Sequence, residues 1–73
     1  MKPLKEEILN KLRKDYPIGT KVKLIFMDDL QSPPAGTIGT VLGIDALGSI
    51  KVNWENGSTL RVLYGADKIA KLS

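Results

Sequence analysis

Apolar and polar residues alternate most regularly along Ser49-Ile50-Lys51-Val52-Asn53-Trp54, which places Ile50, Val52 and Trp54 on one face and Lys51 and Asn53 on the other. That period of two is the mark of a half-buried strand. Lys21-Val22-Lys23-Leu24-Ile25-Phe26 follows the same rule, with Val22, Leu24 and Phe26 expected inward and Lys21 and Lys23 outward. Between them, Thr37 to Asp45 is β-branched but interrupted by Gly39 and Gly43, which predict bulges or bends. Its inward face has two solutions. Either Val41 and Ile44 both point inward and Gly43 absorbs an extra residue, or Ile38, Leu42 and Ile44 do so and Val41 faces out. Ala46-Leu47-Gly48 makes the reversal between these strands, and Asn56-Gly57 predicts a tight hairpin that pairs Ser58–Leu63 with Ser49–Trp54. Leu60 and Val62 then face inward and Arg61 outward. Leu63-Tyr64-Gly65-Ala66-Asp67 reads as a short connection of 3₁₀ type, followed by a last strand over Lys68–Leu72.

Ahead of the strands, Leu4, Ile8, Leu12 and Tyr16 recur every four residues and Leu9 widens their stripe, the spacing of an amphipathic helix over Lys2–Lys14. Both ends carry the sign that the helix dipole favours: Glu6 and Glu7 early, Lys11, Arg13 and Lys14 late. Pro3 suits a first-turn position, and Pro17 removes a donor and biases Tyr16 out of the helical region, so the helix ends there. The apolar face calls for a cover, and the strands are the nearest one. The alternative is a helix whose face meets a partner or a membrane surface. The expected architecture is mainly β: a small five-stranded SH3-like barrel (residues 16–73) with one N-terminal α-helix (residues 1–15) packed on it. Its expected core is Val22, Leu24, Phe26, Ile50, Val52, Trp54, Leu60 and Val62. An open five-stranded sheet with the helix on one face is the rival arrangement.

In this order, Tyr16-Pro17-Ile18-Gly19-Thr20, Met27-Asp28-Asp29, Pro33-Pro34-Ala35-Gly36-Thr37, Gly39-Thr40-Val41, Gly48-Ser49-Ile50 and Val52-Asn53-Trp54-Glu55-Asn56-Gly57-Ser58 resemble a family of short bacterial proteins, found also in phages and conjugative elements and catalogued only as a domain of unknown function. The resemblance runs from about Leu4 to Leu72 and implies no catalytic or ligand-binding residues. Gly36-Thr37-Ile38-Gly39-Thr40-Val41 is also loosely similar to the KOW motif of ribosomal proteins and transcription factors, a strand-loop-strand whose glycine spacing recurs in many small barrels.

Composition narrows the chemistry. The 73 residues include neither His nor Cys, which removes disulfides, thiolate metal sites and the commonest general base. The chain is therefore expected to be no enzyme and to need no cofactor. No apolar run reaches the length of a bilayer span, and acidic Glu6 and Glu7 stand where a signal peptide would have its apolar run, which predicts a cytoplasmic protein without a membrane segment. Of the net charge of +3, most falls in residues 1–15, with five basic and three acidic side chains, against six and five in the rest. A nearly balanced barrel is a poor phosphate binder, and solubility accounts for +3 equally well.

Two surfaces remain as candidates. The long segment from Met27 to Gly36 and the Tyr64 turn are expected to lie close together, and they hold Met27, Asp28, Asp29, Pro33, Pro34 and Tyr64 as a site for a protein partner. Lys21, Lys23, Lys51 and Arg61 on outward strand faces form the alternative, a nucleic-acid interface. Asp28 and Asp29, with Asp45 or Asp67 brought near by folding, are the candidate oxygen donors for a hard cation; adjacent carboxylates in an extended segment point apart, so loop ordering is the simpler expectation and no metal site is assigned. Trp54 shares the phase of Ile50 and Val52 and is expected in the core, its indole N–H reaching a carbonyl at the rim.

Overall fold

A computed structural model of the chain describes residues 4–72; Lys2 and Pro3, at the start of the expected helix, lie outside them. The elements are α1 (Glu6–Asp15), β1 (Lys21–Phe26), β2 (Ile38–Ile44), β3 (Ser49–Trp54), β4 (Val62–Leu63) and β5 (Lys68–Lys71). All five strands pair antiparallel in the order β4-β3-β2-β1-β5. The fold is mainly β with one N-terminal helix, but the closure expected of a barrel is corrected: the sheet is open, with β4 and β5 as its edges. The reason lies in β4, which keeps only two ladder pairs, Ser49 with Leu63 and Ile50 with Val62.

The expected long hairpin over Ser58–Leu63 is shortened because the chain leaves the sheet just after the turn. Gly57 alone takes a positive φ there, 86°, while Asn56 does not, so the reversal is not the primed two-residue turn the dipeptide favours. Residues 58–61 then run outside the ladder, and the Leu60 carbonyl accepts the Trp54 indole N–H at 2.9 Å instead of a strand partner. The rim carbonyl expected for Trp54 is thus supplied by the segment that peels away.

β2 adopts the first of its two solutions. Its register with β3 shifts between Val41 and Gly43, so Leu42 is the extra residue and turns outward, Val41 is fully buried and Ile44 packs against the core. A second bulge overturns one core assignment. The β1–β5 register shifts between Leu24 and Phe26, which reverses the alternation after Leu24: Phe26 is 53% exposed and Met27 takes the inward place. The core therefore comprises Val22, Leu24, Met27, Val41, Ile50, Val52, Trp54 and Val62, with Tyr16, Ile44, Leu60 and Ile69 packed at its border. Leu60 is half-buried, against the expectation of full burial.

One turn is used twice. In Pro17-Ile18-Gly19-Thr20 and Pro34-Ala35-Gly36-Thr37 the Thr N–H and Oγ1 both donate to the Pro carbonyl, and the Gly takes φ of 94° and 93°. These are type II turns, in which the third residue needs positive φ. Each feeds a strand: Gly19 donates to the Val41 carbonyl and Gly36 to that of Leu24. Helix α1 ends with Tyr16 donating to the Leu12 carbonyl, one residue before Pro17. Leu9 and Leu12 are buried on the helix, while Ile8 and Tyr16 stay half-buried and face an opening. The start of the helix is anchored by Leu4, whose N–H donates to the Ala46 carbonyl and whose side chain lies against Gly48 in the β2–β3 turn.

A carboxylate organises that turn. Asp45 Oδ1 accepts from the Leu47 and Ser49 amides at 2.9 and 3.0 Å, and Oδ2 pairs with the Arg61 guanidinium at 3.2 Å. The Ser49 amide foremost, aided by the Leu47 amide and the charges of Arg61 and Lys51 against some loss of hydration, holds the Asp45 carboxyl below the usual carboxylate range. A depressed carboxyl stabilises the fold fully above its unfolded value of about 3.9, and that contribution disappears as pH falls through the folded value. Urea midpoints measured from pH 5 downward are expected to fall more steeply for the natural chain than for Asp45→Asn, and equal slopes would exclude this role.

Candidate functional site

The open edge of the sheet leaves a cleft of about 820 Å³ between α1 and strands β4 and β5. Ile8, Leu12 and Tyr16 form its helical wall, and Ile25, Ile50, Val62 and Ile69 its sheet wall. Tyr64 stands at the mouth, half exposed, with Glu7, Lys11, Asp15, Asp67 and Lys68 along the rim. Ile25 reaches this wall at the bulge in β1 that also turns Phe26 out. The helical stripe expected to be covered is only partly so: the cleft is where Ile8 and Tyr16 lack a cover.

Of the residues expected at a protein-partner surface, Asp28, Asp29, Pro34 and Tyr64 are exposed. Met27 and Pro33 are buried and belong to the scaffold; the parity reversal at Ile25 draws Met27 in. The Met27–Gly36 segment and the Tyr64 turn do meet. Asp67 Oδ1 accepts the Asp28 amide at 3.0 Å and Oδ2 the Leu63 amide at 2.8 Å, so one carboxylate ties the loop to the turn. The turn itself closes with Ala66 and Asp67 donating to the Leu63 carbonyl, and Gly65 adopts φ of 85°. Asp29 orders its own loop, its Oδ1 accepting the Gln31 amide at 2.7 Å and its carbonyl the Ser32 amide. With Asp29, Asp45 and Asp67 engaged in this way, no group of acidic side chains that could hold a metal ion forms among the described residues.

The cationic alternative is dispersed. Lys21, Lys23, Lys51 and Arg61 are all exposed. Lys21 donates to Thr40 Oγ1 at 2.7 Å and Arg61 is paired with Asp45, leaving Lys23 and Lys51 on strands separated by β2. Sequence reasoning missed Ile25, Lys68 and Ile69 at the cleft. The unbroken apolar run Leu24-Ile25-Phe26-Met27 was the available signal, because four consecutive apolar residues cannot all face one side of a regular strand.

The family model described as Domain of unknown function (DUF4314) matches residues 5–72, nearly the whole chain. The chain belongs to this DUF4314 family. All the sequence blocks that carried the resemblance lie inside the matched range, which spans the helix and all five strands. Neither a curated protein nor a solved structure matches the chain. No helix of the described residues is long and apolar enough to cross a membrane.

Proposed function

We propose that this DUF4314 chain is a non-catalytic binding module, cytoplasmic and at work in bacteria or their mobile elements, that engages a protein partner at the cleft and at the adjoining Asp28–Asp67 junction. The observation that carries the reading is the apolar cleft rimmed by charge, with the half-exposed aromatic Tyr64 at its mouth beside that junction. Aromatic side chains near an apolar depression are the usual anchors of protein interfaces. We read the sheet as an SH3-like barrel whose seam between β4 and β5 is unzipped, which puts Asp28, Asp29, Pro34 and Tyr64 at one end of it. A chain without His or Cys, in which Asp29, Asp45 and Asp67 are engaged with backbone amides, supports a binding role over catalysis. Affinity capture with the natural chain and with the Tyr64→Ala, Asp29→Ala double variant tests this. Partners retained by the first and lost by the second are expected, and identical partner sets would refute the surface.

Nucleic-acid binding by Lys21, Lys23, Lys51 and Arg61 is the second reading, favoured by their shared exposure. It requires that oligonucleotide affinity fall with salt at a log–log slope of about 0.7 to 0.9 per phosphate contacted, and no binding at low salt would remove it.

A further inference from the structure

The two edges of the open sheet differ in a way that identifies what enters the cleft. At the β4 edge, Leu63 pairs with Ser49 without exchanging hydrogen bonds, so its amide and carbonyl point away from β3. Both are taken: the amide by Asp67 Oδ2, the carbonyl by the Ala66 and Asp67 amides. This edge is closed by the chain's own turn.

The β5 edge has no such plug. Leu72 donates to the Lys21 carbonyl, so the ladder with β1 runs through positions 72 and 70. By the alternation of an antiparallel pair, Ile69 and Lys71 direct their amide and carbonyl groups away from β1, along the free edge. Among the described residues no backbone partner takes them up. Ile69 at the same time lines the cleft, which brings unpaired strand groups and an apolar wall to one place. Such an edge is a template for another strand.

Charge selects among strands. Ile69 and Lys71 lie on the face of Val22 and Leu24, toward the cleft, while Lys68 lies on the opposite face of the edge, the face that also carries Lys23 of the neighbouring strand. A second copy pairing antiparallel along the same edge places two such basic outer faces side by side, and like charges across a short ladder are unfavourable. An acidic strand meets the opposite situation. Resting on the binding-module reading above, we infer that the cleft takes an extended segment of a partner protein that pairs with Ile69 and Lys71 as a sixth strand, its apolar side chains entering beside Ile69 and its acidic side chains, on the opposite face, meeting Lys68. Four residues of β5 span about 13 Å, which sets the length of the recognised core.

The test is selection of octapeptides from a random displayed library on the intact chain, followed by amide hydrogen exchange of the complexes and titration of variants. The expected peptides alternate apolar and acidic residues and slow exchange at Ile69 and Lys71. Lys71→Pro removes the outward-facing donor and leaves the β1 ladder intact, since proline is tolerated on an edge whose N–H faces away. It is expected to weaken binding about tenfold beyond Lys71→Ala, the effect of one backbone hydrogen bond. Peptides that bind with dependence on Tyr64 but leave the Ile69 and Lys71 amides and the proline variant unaffected would overturn strand addition while keeping the module. Failure to select any peptide sensitive to Tyr64 or Lys71 would overturn both readings. Self-association in sedimentation that Lys71→Pro abolishes would place a second copy on the edge and also overturn the inference.

Discussion

Replacing Trp54 with Ala is expected to cost about 3 to 5 kcal/mol in urea denaturation, the range for deleting a buried large aromatic. Trp54 is 2% exposed and is the largest of the fully buried side chains. Its loss opens a cavity that Val22, Leu24, Val41 and Val52 cannot fill without moving strands, and it orphans the Leu60 carbonyl that the indole N–H satisfies. The second effect separates two roles of the ring. Trp54→Phe keeps most of the apolar volume and drops only the hydrogen bond, so it is expected to lose much less than the alanine variant and to loosen residues 58–61, seen as faster amide exchange in that segment. A loss below about 1 kcal/mol for Trp54→Ala would mean that the ring is not buried, against the structure.

Gly39→Ala is expected to be the other severe change, at about 1 to 3 kcal/mol or more. The reason is space rather than backbone freedom, since Gly39 is not among the glycines with positive φ. Gly39 stands opposite Trp54 in the β2–β3 ladder, and Glu55 donates to the Ile38 carbonyl, so the Gly39–Trp54 pair is of the non-hydrogen-bonded kind in which side chains come closest. A Cβ at position 39 would lie 2.7 Å from Trp54 Cε3 and closer still to Val52 Cγ1. The indole occupies the place of the missing side chain. Equilibrium unfolding of Gly39→Ala in the natural and Trp54→Leu backgrounds checks this directly. A smaller penalty in the second background is expected, because residues in contact are not additive, and equal penalties would assign the cost to something other than the ring.

Local chemistry makes much of this molecule legible in its amino-acid sequence. The helix stops at Tyr16 because proline at 17 forbids its continuation, and β1 and β3 alternate because Val22, Leu24, Ile50, Val52 and Trp54 need one dry face. The rim carbonyl for the indole follows from the same demand, that a buried N–H find an acceptor. Tertiary packing decided the rest. Whether Val41 or Leu42 faces inward depended on a bulge set by pairing with β3, and Phe26 left the core for Met27 because β1 bulges against β5; each strand's own pattern is compatible with either register. Closure of the sheet was likewise outside the reach of sequence. It turned on whether residues 58–61 would pair with β3 or turn a carbonyl to Trp54, a competition between two hydrogen bonds of similar strength that only the packed core resolves. That same choice left β4 short and β5 at an edge. The candidate site, a cleft between that open edge and a helix, is therefore a product of long-range contacts that no single stretch of the chain encodes.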